Sequence, residues 1–217
     1  MLTGLLLAHL RRTGVRALAM KPICAGSRDD AKLLFELNDR EVPMESVNPF
    51  FFRKPLAPLL AARLARRHIS LQEIMARIDE LQKRCELLVI EGAGGLLVPL
   101  GKRFMIIDLI ARLHCSVILA ARNGIGVINH VLLSASALGR RGQIDTSVVL
   151  MGKPDADISA ESNSKMLREL LCQIDVFEVP FISENLHSAE VIRGQARSRK
   201  KLMTKIAAAK AMRAVLR

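Results

Sequence analysis

The sequence predicts an α/β fold, in which a doubly wound and mostly parallel sheet carries helices on both faces. Short runs rich in apolar and β-branched residues alternate along the 217-residue chain with longer stretches of helical periodicity. These short runs are apolar at successive positions, which is typical of strands that are covered on both faces. Strands that alternate with helices favour parallel pairing, because each helix carries the chain back across the sheet.

Helices and strands are predicted along most of the chain. The predicted strands are residues 15–20, 86–90, 116–120, 146–151 and 175–179. The predicted helices are residues 2–12, 29–38, 55–66, 71–84, 126–140 and 160–172. We expect a single α/β domain over residues 1–190, followed by a basic C-terminal helix or tail over residues 191–217.

The composition argues against a membrane protein and against a disulfide scaffold. No apolar run reaches the ~18 residues that a membrane span needs, and the N terminus lacks the features of a signal peptide. The four cysteines form no CxxC pair and the five histidines are scattered. We therefore expect reduced thiols, a cytoplasmic protein and no zinc site.

The positive charge is concentrated at the C-terminal end. Residues 191–217 contain nine lysines or arginines and no acidic residue, in a chain of net charge +12. Such a segment can bind nucleic acid or an acidic surface. The alternative is a solvated helix with four apolar residues near one face: Leu202, Ile206, Ala209 and Leu216. The absence of interleaved aromatic residues favours the solvated helix over nucleic-acid binding.

Polar and glycine-rich segments follow the predicted strands. Ligands of parallel sheets bind beyond the carboxyl ends of the strands, so these segments are the candidate site. They comprise residues 21–30, 91–95, 121–130, 151–154 and 180–185. We expect all of them to open onto one rim of the sheet.

Glu91 directly follows an apolar strand and precedes the glycine-rich segment 92–95. A carboxylate in this position can hold Mg²⁺, while bare backbone amides approach a phosphate. The alternative is that Gly94 and Gly95 only supply the positive φ of a turn. An acid that emerges from a buried strand is costly without a partner, which favours the functional interpretation.

Three further polar residues have both a functional and a structural interpretation. Lys21 can neutralise a phosphoryl group, or it can simply reach solvent. Asp30 can be a second magnesium ligand, or it can cap the helix that follows. Asn129 lies at a glycine-flanked helix start that suits an anion, and it can also be an N-terminal cap.

Taken in order, these motifs resemble the dethiobiotin synthetase family. Five pieces carry the resemblance: Lys21-Pro22 with Gly26; Asp30; Asn48-Pro49-Phe50; the EGAGG segment at 91–95; and the GVINH segment at 126–130. The VPFISEN segment at 179–185 is similar to the adenine-side loop of that family. The resemblance spans about residues 1–186, and EGAGG followed by a proline is its most specific element.

The resemblance implies a P-loop NTPase-like fold and an ATP- and Mg²⁺-dependent cyclo-ligase of biotin biosynthesis. Such an enzyme joins CO₂ to 7,8-diaminopelargonate in a cyclic urea and converts ATP to ADP and phosphate. The resemblance also implies a homodimer in which Asn129 reaches the substrate of the neighbouring subunit.

Roles for individual residues follow from the same resemblance. Lys21 would be catalytic, and Asp30 and Glu91 would hold Mg²⁺ beside ATP. Further ATP contacts would come from two loops: Gly92, Ala93 and Gly94 in the first, and Pro180, Phe181, Ile182 and Asn185 in the second. Substrate contacts would come from Ala25, Ile128 and Asn129.

The sequence departs from the family pattern in three places. It contains no G-x-x-x-x-G-K-[ST] phosphate loop, which in the family precedes the helix that leads to the Lys-Pro strand. Ala25 stands where the family usually has Ser or Thr, and Met151 stands where an adenine-reading Asn is expected.

These departures have two explanations, a misplaced start or a degenerate relative, and they bear on three hypotheses for the function. We expect that Met1 falls just past the phosphate loop and that the protein begins upstream. One alternative is a catalytically inactive pseudo-NTPase that serves as a binding or scaffold module. Another is a different amidoligase or a partitioning-type ATPase on the same fold.

Overall fold

A computed structural model describes residues 1–142, 145–184 and 186–209. The described residues form two compact units. Within these ranges, the first unit draws on residues 1–109 and 186–203, and the second on residues 110–142, 145–184 and 204–209.

The elements confirm a mixed α/β fold. The helices within the described residues are α1 Leu2–Arg12, α2 Asp29–Leu37, α3 Met44–Val47, α4 Pro58–Leu64, α5 Leu71–Gln82, α6 Ile106–Leu113, α7 Val127–Gly139, α8 Asn163–Leu170, α9 Ala189–Ser198 and α10 Lys200–Ala207. The strands are β1 Ala17–Met20, β2 Ile23–Ala25, β3 Phe50–Phe52, β4 Leu87–Ile90, β5 Pro99–Gly101, β6 Phe104–Met105, β7 Val117–Arg122, β8 Thr146–Met151 and β9 Asp175–Val179.

Most strand pairing is parallel, as predicted. In the first unit β1 pairs with β4 from Ala17↔Leu87 to Met20↔Ile90, and β2 pairs with β3. In the second unit β7, β8 and β9 form a parallel three-stranded sheet. The short pair β5 and β6 is antiparallel.

Two predicted helices begin three residues later in the structure. The helix predicted at 55–66 begins only at Pro58, because Ala57 is extended and a proline is well tolerated in the first turn, where its missing N–H is not needed. The helix predicted at 160–172 is interrupted. A 3₁₀ turn at Ile158–Glu161 precedes α8, and Asp157 caps that turn by accepting a hydrogen bond from the Ser159 amide.

The core of the first unit lies between α1, β1 and the helices that cover them. All four residues of β1 are buried. Gly4 lets two helices approach α1 closely, since a Cβ there would lie 3.0 Å from Leu37 Cδ1 and 3.5 Å from Ile192 Cγ2. Ile192 and Ala196 of α9 are fully buried, so the first helix of the basic C-terminal segment is part of this core.

The second unit has its own apolar core. Its buried members are Val127, Val131, Val148, Leu150, Leu167 and Val176. They come from α7, β8, α8 and β9, so the core packs helices against the parallel sheet.

The apolar face predicted for the terminal helix is mostly buried. Ile206 and Ala209 are buried, and Leu202 is half-buried. Leu216 lies outside the described residues. Within the part of the chain that the structure covers, no helix is long and apolar enough to cross a membrane.

Candidate active site

Lys21 bridges the carboxylates of Asp30 and Glu91 at the carboxyl end of β1. Its Nζ donates hydrogen bonds to Asp30 Oδ2 at 2.5 Å and to Glu91 Oε1 at 2.7 Å. The Lys21 side chain is only 13% exposed, whereas Glu91 is 21% and Asp30 60% exposed. The three residues form the candidate site in the first unit, and Asp30 is the member most open to solvent.

The strand register brings Lys21 and Glu91 together. Met20 and Ile90 are the last paired residues of β1 and β4, so the next residue of each strand leaves the sheet at the same edge. The Glu91 amide extends the pairing by donating to the Met20 carbonyl at 2.8 Å. Asp30 reaches the same point from the first turn of α2.

Asp30 does not cap α2. The N-cap residue is Arg28, and it makes no side-chain cap hydrogen bond. The Asp29 amide instead donates to Ser27 Oγ at 2.9 Å. The capping interpretation of Asp30 is therefore wrong in this structure, and its carboxylate is committed to Lys21.

The charges of the site stabilise one another. Burial alone would lower the pKa of Lys21, but attraction to Glu91 and hydrogen bonds to Asp30 and Glu91 outweigh it, so the pKa is raised. Burial alone would raise the pKa of Asp30, but the hydrogen bond and the charge of Lys21 lower it. At neutral pH Lys21 is thus an ammonium held by carboxylates, which is the form that can contact an anionic substrate.

The donor set fits a magnesium ion only in part. Among the described residues, no cluster of three or more His, Cys, Asp or Glu side chains can hold a metal. Mg²⁺ in nucleotide sites, however, is bound through one or two carboxylates together with phosphate oxygens and water. Lys21 donates its hydrogen bonds to Oδ2 of Asp30 and Oε1 of Glu91, so Oδ1 of Asp30 and Oε2 of Glu91 are the candidate ligands.

A buried asparagine that sequence reasoning gave no role fixes the backbone at Lys21. Asn48 is 1% exposed, and its Nδ2 donates to the Lys21 carbonyl at 2.7 Å. Arg28 donates to Asn48 Oδ1 at 2.9 Å and to the Asn48 carbonyl at 3.0 Å. The sequence pattern that could have indicated this role is a polar asparagine between the apolar residues Val47 and Phe50, because a buried polar side chain needs specific hydrogen-bond partners.

The glycines after Glu91 differ in what the local structure requires. Gly94 has φ +78°, and a Cβ there would lie 2.9 Å from Val98 Cγ2, so the turn itself requires glycine. A Cβ on Gly92 would make only ordinary contacts, the nearest at 3.7 Å from Ile106 Cγ2. Gly95 has no positive φ, and a Cβ there would meet nothing within 4 Å. The turn interpretation therefore holds for Gly94 and is wrong for Gly95.

Ala25 and Ala93 lie on the same unit as the Lys21 cluster. Ala25 is the half-buried last residue of β2 and pairs with Phe52. The next residue, Gly26, has φ +90°, and a Cβ there would lie 2.8 Å from Pro55 Cβ. Ala93 is half-buried between Gly92 and Gly94, whose backbones are exposed.

Ile128 and Asn129 lie in the first turn of α7, in the second unit. Asn129 is exposed and Ile128 is half-buried. The N-cap residue is Gly126, with φ +86° and no side-chain cap. Asn129 is therefore not a capping residue, which removes the structural alternative for it.

The predicted adenine-side residues follow β9 in the second unit. Phe181 is 46% exposed, whereas Ile182 is buried. Gly152 lets the chain after β8 pack on Pro180 and Phe181, since a Cβ there would clash with the Phe181 amide nitrogen. Met151 is buried at the end of β8. Asn185 lies outside the described residues.

A second polar network, which the sequence did not suggest, fixes the loop between β7 and α7. Asp157 Oδ2 accepts from Lys153 Nζ at 2.7 Å and from the Ile125 amide at 3.2 Å. Hydrogen bonds from Lys153, Ser159 and Ile125 hold the pKa of Asp157 well below its usual range. The spacing of Lys153 and Asp157 is the only signal in the sequence, and it is common to many solvated ion pairs.

Comparison with known proteins identifies the family. The sequence matches the family described as AAA domain over residues 2–184, a range that includes Lys21, Asp30 and Glu91. It is 40% identical over 165 residues to the ATP-dependent dethiobiotin synthetase of Anaeromyxobacter dehalogenans, covering 74% of each chain. It is 35% identical over 166 residues to that of Endomicrobium trichonymphae, covering 74% of this chain and 77% of the relative.

A third relative extends the match along the chain. The ATP-dependent dethiobiotin synthetase of Akkermansia muciniphila is 31% identical over 187 residues, covering 86% of this chain and 85% of its own. The mixed α/β fold with parallel strand pairing agrees with these similarities. The chain belongs to the dethiobiotin synthetase family.

Proposed function

We propose that this protein is a dethiobiotin synthetase of biotin biosynthesis, an ATP-dependent cyclo-ligase that closes a cyclic urea on 7,8-diaminopelargonate with CO₂. The observation that carries the proposal is the contact of Lys21 with both Asp30 and Glu91. The relatives named above support it, because each is named an ATP-dependent dethiobiotin synthetase.

The reaction needs no nucleophile from the protein. One substrate amine adds to CO₂ and forms a carbamate. A carbamate oxygen attacks the γ-phosphorus of ATP, and ADP leaves. The second amine attacks the carbamate carbon, the bond from carbon to the phosphorylated oxygen breaks, and phosphate leaves as the ring closes. The protein therefore acts by positioning and by charge.

Lys21 is the proposed catalytic residue. An ammonium has three N–H donors, and two of them are given to Asp30 and Glu91. The third can reach an oxygen of the carbamate or of the γ-phosphate. Because only 13% of the side chain is exposed, its charge acts with little screening from water.

Asp30 and Glu91 are the proposed ligands of Mg²⁺. The metal would neutralise phosphate charge during transfer. Oδ1 of Asp30 and Oε2 of Glu91, to which Lys21 donates no hydrogen bond, would hold the ion. The exposure of Asp30 supports this role, since a ligand of a nucleotide-bound ion has to be reached from solvent.

ATP and substrate contacts are proposed for the remaining residues. Gly92, Ala93 and Gly94 would line the phosphates, and this is supported by the exposed backbone at Gly92, where no steric contact requires glycine. On the adenine side we propose Pro180, Phe181, Ile182 and Asn185. For the substrate we propose Ala25, Ile128 and Asn129.

We also propose that the protein is a homodimer in the cytoplasm. Ile125 is 85% exposed and Leu133 62% exposed, on either side of the exposed Asn129 along the chain. A contiguous patch of exposed apolar side chains is typical of a surface that a second subunit covers, and we propose these two side chains as members of such a patch. All four cysteines are free thiols, as expected in a reducing compartment.

The test is formation of dethiobiotin from 7,8-diaminopelargonate, bicarbonate and Mg·ATP, with phosphate release measured in parallel. Because the sequence contains no G-x-x-x-x-G-K-[ST] motif, two proteins are compared. One is the 217-residue chain, and the other is the same chain preceded by a strand and a phosphate loop of that type. We expect one phosphate per ring in the second protein and severely impaired turnover in the first.

Two other outcomes would contradict the proposed function. If both proteins fold and neither forms dethiobiotin, the enzyme proposal fails and the inactive binding module is favoured. Phosphate release without ring closure would instead favour a different ATPase on the same fold.

A further inference from the structure

A cavity lined by arginines lies at the amino end of β1, away from the Lys21 cluster at the carboxyl end of the same strand. Its volume is about 480 Å³, and it is lined in part by six arginines: Arg11, Arg12, Arg16, Arg84, Arg193 and Arg197. We call the cavity lined by these six residues the arginine cavity. All of them belong to the first unit.

The acidic side chains that line the cavity are already paired. Arg11 donates to Asp39 at 2.7 Å and also contacts Glu41. Arg193 donates to the other oxygen of Asp39 at 2.6 Å. Asp39 and Glu41 therefore cannot neutralise the other arginines of the cavity.

Three of the arginines have no carboxylate partner within the residues that the structure covers. Arg84 donates to the backbone carbonyl of Glu41 at 2.7 Å. Arg12 Nη2 lies 3.3 Å from His9 Nδ1, and because an imidazole carries no negative charge, His9 does not compensate the guanidinium. Arg197 has no hydrogen bond or ion pair with any described side chain. Since guanidinium groups stay charged, the cavity carries uncompensated positive charge.

The basic C-terminal segment contributes to this cavity. Arg193 and Arg197 are four residues apart on α9 and line the cavity from one face of the helix. Ile192 and Ala196 of the same helix are fully buried, so α9 is held in place by packing. The arginines are thus presented on a fixed surface, which favours a defined ligand over a loose charged tail.

We propose that the arginine cavity binds a small anion that carries several phosphates. Guanidinium groups bind phosphate oxygens with paired N–H donors, which makes arginine the preferred residue for this chemistry. A volume of about 480 Å³ is in the range of small-molecule sites. Nucleic acid is disfavoured, because the charge lines a cavity and no aromatic side chain lines it for base stacking.

Titration calorimetry with tripolyphosphate, carried out on the full chain, tests the proposal. We expect a binding step that depends on Arg12 and Arg197 and is weakened by added salt. The double variant Arg12→Gln/Arg197→Gln should bind roughly tenfold more weakly or worse, because it removes two guanidinium charges and their N–H donors from the cavity. Both side chains are exposed, so the fold should persist, and this is checked by thermal unfolding.

Matched variants distinguish binding in the arginine cavity from a general effect of surface charge. The double variant Arg63→Gln/Arg103→Gln removes the same charge from exposed positions outside the cavity and should bind normally. Lys21→Gln removes the ammonium of the candidate active site, and the part of the binding that depends on Arg12 and Arg197 should persist in it, whatever the outcome for the proposed function. Equal weakening by the control pair, or loss of binding in Lys21→Gln alone, would overturn the proposal.

A single-stranded oligonucleotide tests whether the cavity binds nucleic acid in place of a small anion. A single-stranded oligonucleotide that binds more tightly than tripolyphosphate, and that depends on Arg12 and Arg197, would also contradict a small-anion site. Failure of the wild-type chain to bind tripolyphosphate would also contradict the small-anion site.

Discussion

Lys21 Nζ lies 2.7 Å from Glu91 Oε1, and the backbone beneath this contact is joined by the hydrogen bond from the Glu91 amide to the Met20 carbonyl. The contact therefore depends on the register of β1 and β4 and on no flexible loop. A shift of one residue would turn one of the two side chains to the other face of the sheet. The parallel pairing thus fixes the charge pair that the proposed chemistry needs.

Glu91→Gln is expected to lower turnover while leaving the fold intact. Glutamine keeps the size of the side chain but removes the charge that holds Lys21 and the proposed metal. The loss expected for one electrostatic catalytic group is ~10²–10³ in rate. Glu86→Gln is the matched control, because Glu86 precedes the same strand and pairs with Arg16 at an exposed site. Equal activity of the two variants would remove Glu91 from the site.

Asp30→Asn tests the second proposed ligand. Since Asp30 is not the cap of α2, the substitution should leave helix stability nearly unchanged. We expect lower turnover that recovers in part at high magnesium concentration. The neighbouring Asp29→Asn, whose side chain is 68% exposed, should keep the wild-type magnesium dependence. Identical magnesium titrations for both variants would rule out a metal role for Asp30.

The pH dependence of stability should reveal the Lys21 cluster. The pKa of Asp30 is lowered from 3.8, so its contribution to stability is complete above that value and is lost as the pH falls below it. The pKa of Lys21 is raised from 10.5, so its contribution is complete below that value and is lost as the pH rises through the folded-state pKa.

Urea unfolding of wild type and Lys21→Gln measures this contribution. The difference in free energy of unfolding should be constant near neutral pH and should shrink at about pH 3 and below. Because Asp30 is 60% exposed, solvent screening keeps its share small. A difference that does not change between neutral and acid pH would contradict the ion pairs.

Asn48→Ala should affect both stability and catalysis. It removes the side-chain hydrogen bonds that Asn48 makes with the Lys21 carbonyl and with Arg28 Nε, at a cost of about 1–3 kcal/mol in the free energy of unfolding. Asn38→Ala is the control, because Asn38 is also buried and bonds the backbone of Ala19 in the same strand. We expect similar destabilisation in both, and a lower turnover at saturating substrate only for Asn48→Ala. Equal turnover would assign Asn48 a structural role alone.

Much of the fold follows from local patterns. The bounds of β8 and β9 agree with the predicted 146–151 and 175–179, because these strands are apolar and flanked by clear breaks. β2 and β3 have only three residues each, too few to show the period-two pattern of a strand in the sequence. They are strands because they pair with each other, starting at Ile23 and Phe50, which are far apart in sequence. That residues 1–190 form one domain stays a prediction.

The candidate site was predictable where a strand end defines it. Lys21 and Glu91 follow buried strands, and their meeting follows from parallel pairing. The roles of Asn48 and Asp157 were not predictable. Asn48 bonds the carbonyl of Lys21, which is 27 residues away, and Asp157 accepts a hydrogen bond from the backbone amide of Ile125 in a loop. A polar residue between apolar neighbours indicates that some partner exists, but only the fold identifies it.

The most direct measurement is incorporation of isotopically labelled bicarbonate into dethiobiotin. It uses the 217-residue chain preceded by the strand and phosphate loop, and it compares this protein with its Lys21→Gln and Lys32→Gln variants. Lys32 is 63% exposed on α2 and pairs with Asp29, so its variant removes a similar charge outside the cluster. We predict label in the urea carbon, with a loss of at least ~10²-fold for Lys21→Gln and near wild-type rates for Lys32→Gln. Full activity of Lys21→Gln, or no labelled dethiobiotin from the folded wild type, would contradict the account.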